Sequence, residues 1–156
     1  MDDPFNSNYP SIEHLRARAR QRLPRFVLEY LEGGCFSEIN LRRNTDEIRE
    51  VQLKPWYLNE FGGSDLKTEL FAKPYDAPFG VAPIGLQGLI WPRATEILAG
   101  AAKRQNVPFI LSTVATASIE TVAELTGGDA WFQLYHPAEE ELRDKLLDRA
   151  AEAGLP

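Results

Sequence analysis

The sequence predicts an α/β fold: about three strand–helix units of an incomplete (β/α)8 barrel, preceded by an N-terminal helical cap. Three observations carry this expectation. From residue 79 onward, short apolar runs alternate with stretches whose apolar residues recur at helical spacing. The apolar runs are continuous rather than alternating, which marks strands buried on both faces in a parallel sheet covered by helices. Polar residues fall at the C-terminal ends of successive runs, the end at which a parallel barrel opens onto its site. Eight such units take about 250 residues, and this chain has 156. A parallel sheet of about three strands has two raw edges and an incompletely covered core.

Four segments follow from the local signals. Residues 1–10 are acidic and polar, unlike a signal peptide, and are expected as a tail. Residues 11–50 are expected as the helical cap. Ser11 is placed as an N-cap before Ile12, and Pro24 before a second helix over residues 25–32 that Gly33-Gly34 ends. Phe26, Val27 and Tyr30 put Tyr30 on the apolar side of that helix. A third helix is expected over residues 37–49. Residues 51–78 carry Pro55, Gly62, Gly63, Pro74 and Pro78, which interrupt any long helix. They read as barrel-floor loops and short strands, with a strand over residues 66–71 turning near Tyr75-Asp76.

Residues 79–156 are expected to hold the strand–helix units. Strands are placed at residues 79–83, 107–111 and 130–135. Ala94, Ile97, Leu98, Ala101 and Ala102 mark the inner face of the first helix. Ile119, Val122, Ala123 and Thr126 mark the second, capped by Ser118, and Leu142, Leu146, Ala150 and Ala153 the third. Glu139–Arg143 and Glu141–Lys145 are i,i+4 pairs, and Gly154 ends the helix.

Composition bounds the function classes. The chain is 44% hydrophobic and 26% charged, a globular balance. A net charge of −6 argues against general nucleic-acid binding. The single cysteine, Cys35, excludes an internal disulfide, fits a reducing compartment and reads as a small apolar filler. No run reaches the roughly 18 apolar residues of a membrane span. Arg16, Arg18, Arg20, Arg22 and Arg25 read as a solvated basic face, with an anionic-lipid or partner contact as the alternative. There is no metal-ligand spacing, phosphate loop or Ser/His/Asp arrangement.

The strand ends carry the candidate chemistry. Pro83-Ile84-Gly85, Ser112-Thr113 and Gln133-Leu134-Tyr135 fall at three consecutive strand ends. Gly85 would let a flat ligand approach backbone N–H groups. Ser112 or Thr113 can donate to a carbonyl, and Gln133 offers both an acceptor and a donor. Together they could read the pyrimidine edge of a flavin; equally, such groups can serve only to satisfy loop backbone. Tyr135 and Tyr30 could hold a carboxylate or hydroxyl oxygen, but spacing alone favours amphipathic packing for both. His136 precedes a proline and faces away from Gln133 and Tyr135, and His14 sits on an exposed helix, so neither reads as a base.

At these residues the chain resembles the FMN-dependent α-hydroxy-acid dehydrogenase/oxidase family, over its N-terminal half only. The resemblance rests on Tyr30-Leu31-Glu32-Gly33-Gly34, Ala82-Pro83-Ile84-Gly85-Leu86, Pro108-Phe109-Ile110-Leu111-Ser112-Thr113 and Trp131-Phe132-Gln133-Leu134-Tyr135. The stretch Gly85-Leu86-Gln87-Gly88-Leu89-Ile90-Trp91-Pro92 is most similar to the mandelate and lactate dehydrogenase branch. Glycine rather than alanine at position 85 leans toward a dehydrogenase.

The resemblance implies a TIM (β/α)8 barrel, FMN as cofactor and a small 2-hydroxy acid, such as lactate or mandelate, as substrate. It implies that Tyr30 binds the substrate carboxylate, and that Tyr135 is catalytic, binding the substrate hydroxyl and the developing keto oxygen. Pro83, Ile84 and Gly85 would present backbone to the N5/O4 side of the flavin, and Ser112 and Gln133 would hydrogen-bond its ring. The family's histidine base, its aspartate, a carboxylate-binding arginine and a flavin-side lysine would lie beyond residue 156. The chain is therefore expected to be inactive alone and to need a C-terminal half. One alternative is a split enzyme completed by a second chain; another is a non-catalytic half-barrel that binds a partner or flavin. For the full-length enzyme the resemblance implies a homotetramer, in the cytoplasm or at the inner face of the cell membrane.

Overall fold

The computed structural model describes residues 8–58, 60 and 62–155. Residues 1–7 of the expected tail, and Pro156, lie outside the described residues. The chain divides into two compact units, within residues 1–60 and 61–156.

The first unit holds α1 (Ile12–Arg22), α2 (Arg25–Glu32) and α3 (Ile39–Glu50). Ser11 precedes α1 in extended conformation, but its hydroxyl meets His14 Nδ1 at 2.8 Å and caps no backbone N–H. Pro24, at φ −58°, starts α2. Gly33 ends it at φ −80°, so the expected left-handed stop does not form. What requires glycine there is space: a Cβ would lie 2.6 Å from Glu29 O. The turn to α3 puts Glu38 at φ 59°. That conformation is costly for a non-glycine residue, and Glu38 Oε1 offsets it by accepting from Gly34 N at 3.1 Å. Cys35 is exposed in this surface turn and fills no core.

Two readings of the cap change. Val27 is buried on α2, whereas Phe26 and Tyr30 are 73% and 64% exposed. Tyr30 therefore shares an outward face with Phe26, four residues earlier, and not the buried side with Val27. The basic helix α1 is not merely solvated: Arg16 Nε and Arg20 Nη2 both donate to the Glu32 carboxylate, at 2.7 and 2.8 Å.

The second unit opens with an antiparallel hairpin, β1 (Thr68–Leu70) on β2 (Lys73–Tyr75). Its turn is Phe71 (φ 50°) and Ala72 (φ 59°), earlier than the turn expected near Tyr75-Asp76. Both residues are left-handed, as a two-residue primed turn demands, without the usual Asn or Gly signal. Phe71 is held there by an edge contact with the Trp131 ring, centroids 5.3 Å apart. Tyr75 also meets Trp131, and Asp76 N donates to Asn106 O at 3.0 Å, so the hairpin sits at the N-terminal ends of the parallel strands.

Those strands are Val81, β3 (Ile110–Ser112) and β4 (Trp131–Gln133), adjacent in sequence order and parallel. The register sets Ile110 against Trp131, Leu111 against Phe132 and Ser112 against Gln133. The strand expected at residues 79–83 shrinks to a single bridge at Val81, because Pro78 and Pro83 offer no N–H to a ladder. The second strand starts later than expected, after Pro108, and Leu134 and Tyr135 leave the third before His136-Pro137. Among the described residues the parallel array does not close.

The helices are α4 (Gln87–Ile90), a short turn not expected from spacing, then α5 (Ala94–Arg104), α6 (Ile119–Thr126) and α7 (Glu140–Glu152). On α6 the expected face is the buried one, and Ser118 Oγ accepts from Thr121 N at 3.1 Å. On α5 the buried residues are Thr95, Ala99 and Ala102, while Ile97 is 54% exposed. Small side chains let α5 approach α6 closely, so size outweighed the apolar count that picked Ile97. On α7 only Ala150 is fully buried, and Leu142 is exposed. Glu141 pairs with Lys145 at 2.6 Å, but Arg143 turns to Asp144 and not to Glu139. Gly154, at φ 79°, ends α7 as expected.

The core of this unit lies between the strands and the helices. Phe109, Leu111 and Ala130 meet Ala99, Ala102, Ile119, Val122 and Ala150 there. At the N-terminal end of the strands, Lys73 and Lys103 both hydrogen-bond Asp129. Burial pushes the Asp129 carboxyl upward, but the bonds from Lys103 and Lys73 outweigh it and hold it below the usual range.

Two measurements follow. Phe109 is 2% exposed, so Phe109→Ala should cost about 3–5 kcal/mol of a total near 5–15 kcal/mol. A urea-unfolding loss under about 1 kcal/mol would place the core elsewhere. In the first unit, hydrogen bonds from Arg20 and then Arg16 lower the Glu32 carboxyl from 4.5 to about 2. A depressed folded value means that the pairing stabilises the cap above pH 4.5 and is lost as pH falls from there through about 2. Helical circular dichroism should fall across that window, and Glu32→Gln should make the fall shallower. An identical acid transition in the variant would contradict the linkage.

Candidate functional site

Side-chain alternation decides which groups the strands present. Phe109, Leu111 and Ala130 point into the helix-covered core, so Ile110, Ser112, Trp131 and Gln133 point to the opposite face. At its C-terminal edge, Ser112 and Gln133 are register partners on adjacent strands. Ser112 is 3% exposed. Its Oγ accepts from Val114 N at 3.3 Å, which leaves the hydroxyl proton to donate elsewhere. Gln133 Oε1 is buried and makes no hydrogen bond among the described residues. A buried carbonyl without a donor is costly, and a donor brought by a ligand relieves that cost.

Thr113, the other hydroxyl considered as a donor, is used by the backbone. Its Oγ1 donates to Gln133 O at 2.5 Å and accepts from Tyr135 N at 2.9 Å. Of the two hydroxyls, Ser112 is the one left with a proton to offer. Tyr135 follows β4 with its side chain exposed at 56%.

The first loop completes the group. Leu86 N donates to Val114 O at 3.0 Å, which ties the segment after Val81 to the end of β3. Pro83 and Ile84 are exposed on that segment. A Cβ on Gly85 would lie 2.7 Å from Val114 Cγ2, so the close approach that glycine permits here is made by Val114. Gln87, which sequence reasoning did not single out, is 3% exposed. Its Nε2 donates to Ile84 O at 3.3 Å, and its Oε1 is buried without a partner among the described residues. The available signal was a polar residue between Gly85-Leu86 and Gly88, just after an apolar run.

The second unit thus brings together Pro83, Ile84, Gly85, Ser112, Gln133 and Tyr135 at neighbouring strand ends. Tyr30 belongs to the first unit, exposed on α2. His136 is exposed after β4, and His14 is engaged by Ser11. Among the described residues no cluster of His, Cys, Asp or Glu could hold a metal ion, and no helix is long and apolar enough to cross a membrane.

Comparison with known proteins identifies the family. L-lactate dehydrogenase of Xanthobacter autotrophicus is 39% identical over 93% of this chain, and that of Vibrio cholerae is 37% identical over 90%. The chain spans 37% of the length of each. Among solved structures, mandelate oxidase superposes with a TM-score of 0.87 at 31% identity, over 94% of this chain and 44% of that one. A variant of an active chimera of (S)-mandelate dehydrogenase gives 0.84 at 35% identity, over 92% of this chain and 40% of that one. The profile of the FMN-dependent dehydrogenases matches residues 19–156. With that profile matching most of its length, the chain belongs to the FMN-dependent dehydrogenase family.

Proposed function

We propose that this chain supplies the flavin-edge and substrate-binding part of an FMN-dependent (S)-2-hydroxy-acid dehydrogenase that oxidises lactate or mandelate to the 2-keto acid. The observation that carries the reading is Gln133 Oε1, a buried acceptor without a donor among the described residues, at the C-terminal end of the parallel strands. A flavin ring has an N–H of the required kind, and the neighbouring Ser112 hydroxyl retains a proton for a ring acceptor. The residues present therefore fit FMN. The L-lactate and mandelate names of the relatives support the substrate class. Val81, β3 and β4 are, in this proposal, the first three strands of a TIM (β/α)8 barrel, with residues 11–50 as its cap and 51–78 as its floor.

FMN, when bound, supplies the two-electron acceptor for oxidation of the substrate α-carbon. This chain's part is to bind and orient. Gln133 and Ser112 would hold the ring edge, and Pro83, Ile84 and Gly85 would offer backbone to it. The Tyr135 phenol donates to the substrate hydroxyl oxygen and stabilises it as it becomes a carbonyl. The family resemblance alone supports the proposal that Tyr30 binds the carboxylate. Removal of the proton, charge-pairing with the carboxylate and the phosphate site fall to the rest of the barrel. The 156 residues alone are therefore inactive. In the assembled enzyme we place the protein in the cytoplasm or at the inner face of the cell membrane, as a homotetramer. Only the likeness of residues 85–92 to the mandelate and lactate branch supports that placement.

Dye reduction tests the reading. The 156-residue chain with FMN and lactate or mandelate should give no turnover, and the same chain joined to the missing strands of a family relative should give clear turnover. In that joined protein Tyr135→Phe should lower kcat by roughly 10²-fold with little change in KM. Turnover by the chain alone, or an unchanged kcat in the variant, would contradict the assigned roles.

A further inference from the structure

The Gln133 amide and the Tyr135 phenol could not keep their positions if the end of β4 slid against β3, and β4 is only three residues long. Beyond Gln133 there is no ladder to hold Tyr135. The structure shows what replaces it. Thr113 N and Thr113 Oγ1 both donate to Gln133 O, at 3.0 and 2.5 Å, and the same Oγ1 accepts from Tyr135 N at 2.9 Å. One hydroxyl thus uses its single proton on the carbonyl of Gln133 and a lone pair on the amide of Tyr135. It bridges the two residues whose side chains carry ring recognition and substrate contact.

We propose that Thr113 is a positioning residue that sets the separation and direction of the Gln133 amide and the Tyr135 phenol without touching cofactor or substrate. The inference rests on the reading of Gln133 and Tyr135 given above. Its physical basis is specific to a hydroxyl with both a donor and an acceptor role. Serine retains that group. Valine keeps the shape and loses both bonds, leaving the Tyr135 amide without its partner and the Gln133 carbonyl with only the Thr113 N–H. Misplacing a reacting group by about 1 Å can cost on the order of 10²-fold in rate, so a change confined to this bridge should be visible in catalysis and in the flavin spectrum.

The experiment compares Thr113→Val and Thr113→Ser in the FMN-loaded enzyme that contains this chain, with hydrogen exchange read at the Tyr135 amide. Thr113→Val should shift the visible flavin absorption and lower kcat by roughly tenfold to a hundredfold, with a smaller change in KM. Thr113→Ser should restore both. The wild-type Tyr135 amide should exchange slowly, and in Thr113→Val it should exchange like an exposed loop amide. A valine variant with the wild-type spectrum and kcat overturns the proposal, as does an unprotected Tyr135 amide in the wild type. Should the valine variant not fold, the serine rescue and the wild-type exchange rate decide. A wild-type enzyme that oxidises no 2-hydroxy acid would sink the functional reading alone, because the spectrum with bound FMN and the exchange rates still judge the bridge.

Discussion

The parallel pairing of β3 with β4 is the constraint on which the second unit depends. The pairing is short, Ile110 to Ser112 against Trp131 to Gln133. Three paired residues per strand contribute little stability by backbone hydrogen bonds alone. The pairing persists because Phe109, Leu111 and Ala130, on the side away from the site, are packed beneath it by α5 and α6. Burial of that face fixes the register, since a slip of one residue would turn Leu111 outward and Ser112 into the core. The same register sets Ser112 beside Gln133. Packing on one side of the sheet therefore places the chemistry on the other.

The two ends of the strands are built differently. At the N-terminal end Asp129 joins Lys73 of the hairpin to Lys103 of α5, and Phe71 and Tyr75 close on Trp131. This end is tied by charge and by aromatic edges, although the Tyr75 hydroxyl there is buried without a hydrogen bond among the described residues. At the C-terminal end the groups are held by backbone, through Leu86 to Val114 and Thr113 to Gln133 and Tyr135. Its side-chain acceptors on Gln87 and Gln133 are buried without partners among the described residues. The C-terminal end, where the two amide acceptors lie, is the end at which parallel barrels carry their sites.

Much of this was legible in the sequence, for identifiable reasons. The α6 face could be read because Ile119, Val122, Ala123 and Thr126 recur at helical spacing and Ser118 caps them chemically. The strand-end residues could be read because continuous apolar runs stop at polar ones. What could not be read depended on partners distant in sequence. The inner face of α5 is set by how closely small residues let it approach α6. The turn at Phe71-Ala72 is stabilised by Trp131, sixty residues away and invisible to local signals. Tyr30 was assigned to the apolar side from spacing, yet Val27 alone takes the interior of α2. The use of Thr113 by the backbone required knowing the β3–β4 register.

The central claim is that Gln133 Oε1 is an acceptor kept free for a flavin ring. A crystal structure of the FMN-bound enzyme containing this chain tests it most directly. The account predicts a ring N–H within hydrogen-bond distance of Gln133 Oε1, with the Ser112 hydroxyl on the same ring edge. A flavin bound elsewhere, or Gln133 Oε1 satisfied by a protein group while FMN is bound, would contradict it.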